Sequence, residues 1–145
     1  MKYPYLATLI HERTHVNEQY KGCPDWLNEG IADYIRHEYF ERDIEPKLPS
    51  IEAYGIGAKD MERFRNEGYL AGYTNAGNFL FWLELGKDSG LIMALSGALR
   101  GGVYSPDIFM TRCGAPLDAF WREFISTAER ESRLRVVVHP TSVLA

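Results

Sequence analysis

Two short segments near the start of the sequence restrict how the chain can fold. The segment "HERTHV" places His11 and His15 four residues apart, with Glu12 directly after the first histidine. The segment "NEGIAD" places Glu29 and Asp33 at the same spacing. Residues four apart lie on one face of an α-helix, one turn above the other. The five side chains can therefore meet if the two segments form neighbouring helices.

Helical periodicity continues through most of the chain. Gly22 is expected to end the first helix and Pro24 to begin the second. Residues 41–60, with two prolines and two glycines, are expected to form a long irregular connection. Ser105 and Pro106 are typical of the start of a short helix, and the tail from residue 135 is expected to be a strand or a frayed end. The main helices are predicted at about residues 3–20, 24–39, 74–86, 88–99 and 115–131. The sequence thus predicts a mainly α fold.

The first segment has the chemistry of a metal site. The imidazoles of His11 and His15 can reach one ion from the same helix face, and Glu12, at the edge of that face, can touch a water molecule beside the ion. This arrangement of two metal ligands and one base is the one that the H-E-x-x-H motif provides on a helix. Zinc prefers such nitrogen ligands and leaves one position open in catalytic sites. The motif predicts one Zn²⁺ held by the two histidines, with Glu12 as catalytic base.

A third protein ligand is needed, and two positions come into question. In the metzincin arrangement a histidine follows the second one by six residues, but here position 21 is Lys and position 18 is Glu. The alternative is a glutamate from the next helix. Glu29 fits, because the thirteen residues between it and His15 are enough for a helix end, a turn and a new helix. We therefore predict Glu29 as the third ligand.

The neighbours of Glu29 agree with this prediction. Gly30 stands inside a helical pattern, where glycine costs about 0.5–1 kcal/mol relative to alanine, so we expect the two helices to approach closely there. Asp33 is expected to accept a hydrogen bond from a metal-bound histidine, with a salt bridge to Arg36 or to a lysine as the alternative. His37 and His139 lack a partner at ligand spacing and are interpreted as ordinary residues.

Several segments resemble known zinc peptidases. "WLNEG" resembles the segment that supplies the zinc-binding glutamate in gluzincins of the aminopeptidase N type, and the spacing of Glu29 to Asp33 resembles thermolysin. The run from "HERTHV" to "EGIADYIR" is most similar to the plant and bacterial basic secretory protein family, a group of zinc peptidases. "AGYTNAGNFLFWLE" and "YSPDIFMTRCGAPLDAFWREF" resemble further segments of that family, so that the resemblance covers about residues 5–127.

The resemblance implies a zincin-like metallopeptidase domain that hydrolyses peptide or protein substrates with a metal-activated water. It implies secretion, and it implies that Tyr73, in the family's Gly-Tyr pair, donates a hydrogen bond to the developing oxyanion. Packing is the alternative role for Tyr73, and Tyr69 is a weaker candidate. The chain is acidic, whereas the name of the family describes basic proteins. Zinc peptidases have a β-sheet before the active-site helix, and here we expect that sheet to be absent or truncated.

Composition sets the remaining expectations. A chain of 145 residues with 46 % hydrophobic residues predicts one domain, 1–145, with its active-site helices at about 3–39 and a C-terminal helical part at about 61–131. The net charge of −4 argues against nucleic acid or an anionic membrane as the main partner, and the first ten residues do not predict a signal peptide. A disulfide between Cys23 and Cys113, the oligomeric state and the cleavage specificity are left open.

Two rival functions follow from the same residues. The domain can bind zinc and act as a catalytically inactive binding or structural module, an interpretation that the missing sheet favours. A metal-free helical interaction protein ranks last, because it makes the five motif residues a coincidence.

Overall fold

The computed structural model describes residues 4–41, 62 and 65–138. Every regular element in these ranges is helical, which confirms the predicted mainly α fold; its zincin-like character and the single-domain organisation stay predictions. No described helix is both long and apolar enough to cross a bilayer. The elements are α1 (Pro4–Glu18), α2 (Asp25–Ile35) with a π-helical extension (Arg36–Glu41), a 3-10 turn (Tyr69–Ala71), α3 (Tyr73–Gly86), α4 (Leu91–Gly101), α5 (Asp107–Cys113) and α6 (Leu117–Val138).

The helix boundaries differ from the predicted ones at several points. Helix α1 ends at Glu18, earlier than the predicted stop at Gly22, because Gln19 already has a left-handed φ of 49°. Helix α6 continues to Val138, so residues 135–138 are helical and the predicted strand or frayed end was wrong for them. Residues 42–60 of the predicted connection, and the tail from His139, lie outside the described residues.

Helix α3 lies at the centre of the core. Ala76, Phe79, Leu80 and Leu83 on this helix have no exposed surface, and a helix that is apolar on most sides is typically buried. Of the predicted core aromatics, Phe120 is buried, while Trp82 and Trp121 are partly buried and pack against the core. The buried neighbours of α3 come from α2 (Leu27, Ile31, Tyr34), α4 (Leu91, Ile92, Leu95, Leu99), α5 (Phe109) and α6 (Phe120, Phe124, Ala128).

Gly30 marks the point of close approach between α2 and α3. A Cβ built on Gly30 would lie 2.6 Å from the Cβ of Ala76, and one built on Gly77 would lie 3.0 Å from the Cβ of Asp33. The predicted close approach at Gly30 therefore exists, but the expected partner helix is wrong. Gly30 packs against α3, whereas the sequence indicates α1. The contact fixes α2, and with it Glu29 and Asp33, against the core.

This contact gives a test of the packing. We expect Gly30→Ala to destabilise the fold by about 1–3 kcal/mol, the usual cost of adding a methyl group to a packed interior, although alanine normally stabilises a helix. The matched control is Gly97→Ala, since Gly97 lies within α4 and no atom of the described residues comes within 4 Å of its built Cβ. We expect this variant to gain about 0.5–1 kcal/mol in stability. Urea unfolding measures both. The added change Ala76→Gly should recover part of the loss at Gly30, and a Gly30→Ala variant more stable than the parent would contradict this packing.

Helix α1 buries its polar face. Ala7, His11, Thr14 and Glu18, at helical spacing, are buried, whereas Leu6, Leu9, Val16 and Tyr5 on the other sides are exposed. The apolar spacing correctly predicted a helix here, but the apolar residues do not form its buried face. The polar face of α1 instead packs towards α2, and it is there that the candidate site lies.

The two cysteines are both free thiols. Cys23 and Cys113 are each partly buried and pack against the core. Burial raises the pKa of the Cys23 thiol to about 12, so this thiol stays protonated and poorly reactive at neutral pH.

Candidate metal centre

Three side chains converge between α1 and α2. The Nε2 atom of His11 lies 3.0 Å from the Oε2 atom of Glu29 and 3.1 Å from the Nε2 atom of His15. The third side of the triangle, from His15 Nε2 to Glu29 Oε2, measures 3.4 Å. His11 is buried, and His15 and Glu29 are partly buried. The three residues predicted as ligands are thus brought together in a group that can hold one metal ion.

Asp33 holds the other side of the His11 ring. Its Oδ1 atom lies 3.2 Å from the Nδ1 atom of His11, and the carboxylate is 4 % exposed. When Nδ1–H donates to this carboxylate, a neutral imidazole keeps its lone pair on Nε2. The ring nitrogen that faces His15 and Glu29 is then the basic one, as a metal ligand must be.

Asp33 also pairs with Arg36. Arg36 Nη2 donates to the same Oδ1 atom at 3.1 Å, and Nε does so at 3.3 Å. The hydrogen bond to His11 and the salt bridge to Arg36, which were alternatives for Asp33 in the sequence, therefore exist together. Arg36 Nη2 also lies 2.8 Å from His37 Nε2, so His37 joins this network, although no ligand spacing indicates it. His139 lies outside the described residues.

Glu18 lies on the far side of the His15 ring. Its Oε2 atom is 3.6 Å from His15 Nδ1, and the residue is 3 % exposed. Among the described residues, the two carboxylate oxygens of Glu18 and the Nδ1 atom of His15 lack a hydrogen-bond partner. Burial raises the pKa of Glu18, and the nearby His15, His11 and Arg100 act in the opposite direction. A carboxylate thus stands behind each histidine of the group.

A cavity of about 340 Å³ opens beside His11. Glu12 and Tyr73, the two residues predicted as catalytic, both line it, and so does Arg36. Glu12 itself is exposed. The ring of Tyr73 stacks on that of His11, with centroids 5.9 Å apart and planes 16° from parallel. Tyr69, the weaker candidate, does not belong to this wall: its hydroxyl donates to Asp118 at 2.7 Å.

A tight turn places Tyr73 over the group. Gly72 and Tyr73 both have positive φ angles, 68° and 44°, which glycine adopts freely but tyrosine rarely does. A Cβ built on Gly72 would lie 3.2 Å from the Cβ of Glu29 and 3.6 Å from the Cα of Trp26. Asn75 supports the turn by donating to the carbonyl oxygen of Gly68 at 3.0 Å. Glycine at position 72 therefore lets the chain pass closely over Glu29.

Some residues of the site are not indicated clearly by any motif or spacing in the sequence. Arg36 follows Asp33 by three residues, so helical spacing places the two near each other, but nothing local shows that Arg36 faces a cavity. Glu18 stands three residues after His15. On a helix this spacing places the two side chains next to each other, so the sequence does indicate Glu18 as a neighbour of a histidine ligand. The role of Gly72 appears only once α3 is packed on α2.

Comparison with known proteins gives one result. Curated proteins and solved structures yield no match to this chain. The BSP family, described as peptidase of plants and bacteria, matches residues 5–124, which agrees with the resemblance over about residues 5–127. The chain belongs to the BSP family, the peptidases of plants and bacteria.

Proposed function

We propose that this protein is a zinc-dependent peptidase that uses His11, His15 and Glu29 as metal ligands. The observation that carries the proposal is the triangle of two imidazole nitrogens and one carboxylate oxygen, with sides of 3.0, 3.1 and 3.4 Å. Such a cluster of lone-pair atoms can hold a cation. Membership of a peptidase family supports peptides or proteins as substrates.

The dimensions of the triangle suit zinc. Zinc binds nitrogen and oxygen ligands at about 2.0–2.2 Å in tetrahedral geometry, which places any two ligand atoms about 3.3–3.5 Å apart. The three sides measured here differ from that range by a few tenths of an ångström at most. Two histidines and one glutamate, with a fourth position left open, are also a donor set of catalytic zinc sites.

The chain's own groups account for the proton transfers. Zinc, when bound, acts as a Lewis acid that makes water nucleophilic near neutral pH. Glu12 lies on the cavity wall, takes a proton from the attacking water as general base and passes it to the leaving amine. Tyr73, on the same wall, donates its hydroxyl hydrogen to the developing oxyanion. Asp33, held by Arg36, keeps the His11 ring in its orientation.

Removal and return of the metal tests the proposal. The protein is stripped with a chelator, reloaded with Zn²⁺ and incubated with a mixed peptide library, and cleavage is followed by mass spectrometry. We expect cleavage only after reloading. The melting temperatures of the metal-free and zinc-loaded forms are measured in parallel. If zinc raises the melting temperature but the loaded protein cleaves no peptide, the inactive zinc-binding module is supported instead.

The role of Tyr73 is tested by Tyr73→Phe. Loss of an oxyanion donor lowers kcat by about 10²–10³-fold in well-studied hydrolases, and we expect a decrease of that order with unchanged zinc content. Tyr69→Phe is the matched control, since the Tyr69 hydroxyl is bonded to Asp118, and it should keep the parental rate. Equal rates for Tyr73→Phe and the parent would reduce Tyr73 to a packing residue.

A further inference from the structure

We propose that Glu18 is a positioning residue for His15: its carboxylate accepts a hydrogen bond from His15 Nδ1–H and thereby turns the bare Nε2 atom towards Glu29. The inference deepens the proposed function and rests on it for its use in metal binding. Its basis is a pair of groups behind the His15 ring, the Glu18 carboxylate and His15 Nδ1, which lie 3.6 Å apart and have no hydrogen-bond partner in the part of the chain that the structure describes.

A hydrogen bond between Glu18 and His15 Nδ1 is energetically favoured. Glu18 is 3 % exposed, so its carboxylate is largely shielded from bulk water. A buried polar group without a partner destabilises the fold, and a charged one does so more strongly. An approach of about 0.6–0.7 Å brings the 3.6 Å separation to the ordinary length of an N–H···O hydrogen bond, about 2.9–3.0 Å. One small movement therefore satisfies both groups.

The proton position follows from this bond. A neutral imidazole carries one proton, so that a proton on Nδ1 leaves the lone pair on Nε2. His15 Nε2 is the atom that lies 3.4 Å from Glu29 and 3.1 Å from His11. Glu18 would then accept a hydrogen bond from Nδ1 of His15, as Asp33 accepts one from Nδ1 of His11. Both histidines would present basic nitrogens to the same point.

Arg100 lies beside Glu18 at the end of α1. Arg100 donates from Nε to the backbone oxygen of Glu18 at 3.2 Å, which brings its positive charge to the end of α1. Glu18 does not belong to the converging group of ligand atoms. Its place is behind a ligand, where it can orient that ligand and strengthen its basicity.

The test compares Glu18→Leu, which removes the acceptor, with Glu18→Gln, whose side-chain oxygen can still accept. Long-range ¹H–¹⁵N NMR on the metal-free protein at about pH 8, where histidine is neutral, reports which nitrogen of His15 carries the proton. We expect Nδ1–H in the parent and in Glu18→Gln, and a mixture of tautomers in Glu18→Leu. Competition with a chelator then measures Zn²⁺ affinity, which we expect to fall by about 10–100-fold in Glu18→Leu and by less in Glu18→Gln.

The control is Glu84→Leu, which also removes a carboxylate whose pKa burial raises but which lies outside the ligand group. It should leave the His15 spectrum and the Zn²⁺ affinity as in the parent. A parent protein with Nε2–H on His15, or a Glu18→Leu variant with parental tautomer and affinity, would overturn the inference. The parent spectrum decides it even if Glu18→Leu fails to fold. A parent that binds no zinc would refute the proposed function, while the tautomer still decides the role of Glu18.

Discussion

Replacing Glu12 with glutamine is expected to lower kcat for peptide hydrolysis by about 10²–10⁴-fold, the usual contribution of a positioned general base, with one zinc per chain retained. Glu12 is exposed and lies on the cavity wall beside His11, outside the converging group of ligand atoms. Glutamine has the same shape but cannot take a proton. Initial rates on a fluorogenic peptide, together with elemental mass spectrometry of the same samples, measure both parts of the prediction.

The matched control for this change is Glu123→Gln. Glu123 is an exposed glutamate on α6 that pairs with Lys87 at 2.7 Å, and removal of an exposed ion pair has little effect on stability. It should keep the parental rate. A Glu12→Gln variant that cleaves as fast as the parent would remove Glu12 from the mechanism, and one that loses its zinc would place Glu12 among the groups that hold the metal.

Replacing Glu29 with alanine is expected to abolish stoichiometric zinc binding and, with it, hydrolysis. The change removes the one carboxylate among the three converging ligands, and we expect Zn²⁺ affinity to fall by more than the roughly 10–100-fold that loss of a supporting residue costs. Alanine keeps the Cβ atom that lies against Gly72, so the fold should survive. Elemental mass spectrometry after dialysis against buffered zinc measures the content, and circular dichroism checks the helices.

Asp25→Ala provides the comparison for Glu29→Ala. Asp25 is an exposed acidic residue in the first turn of the same helix, and its removal costs about 0.3–1 kcal/mol through the helix dipole without touching the ligand group. It should retain one zinc. A Glu29→Ala variant that binds zinc as tightly as the parent would show that the third ligand lies elsewhere.

Local spacing made the centre of the site predictable. His11 and His15 share a face because they are four residues apart, and the turn between α1 and α2 is short enough for Glu29 to reach them. The long helices were predictable for the same reason. Their ends were less so, because the stop of α1 depends on the left-handed conformation of Gln19, a residue with no strong preference for it.

Tertiary packing decided what the sequence could not show. The face that α1 buries carries His11, Thr14 and Glu18, although hydrophobicity alone favours the side with Leu9 and Val16. Gly30 is a close-packing glycine, but which helix it contacts depends on how α3 crosses α2. These features are properties of contacts between distant segments, and a local pattern does not contain them.

The measurement that tests the account most directly is the rate of peptide hydrolysis as a function of bound zinc. Metal-free protein is titrated with Zn²⁺, and bound metal and cleavage are measured on each sample. We predict that the rate rises in proportion to bound zinc and levels off at about one zinc per chain, the stoichiometry of a single three-ligand catalytic site. A chain that binds one zinc without cleaving any peptide, or a rate that does not depend on zinc, would contradict the account.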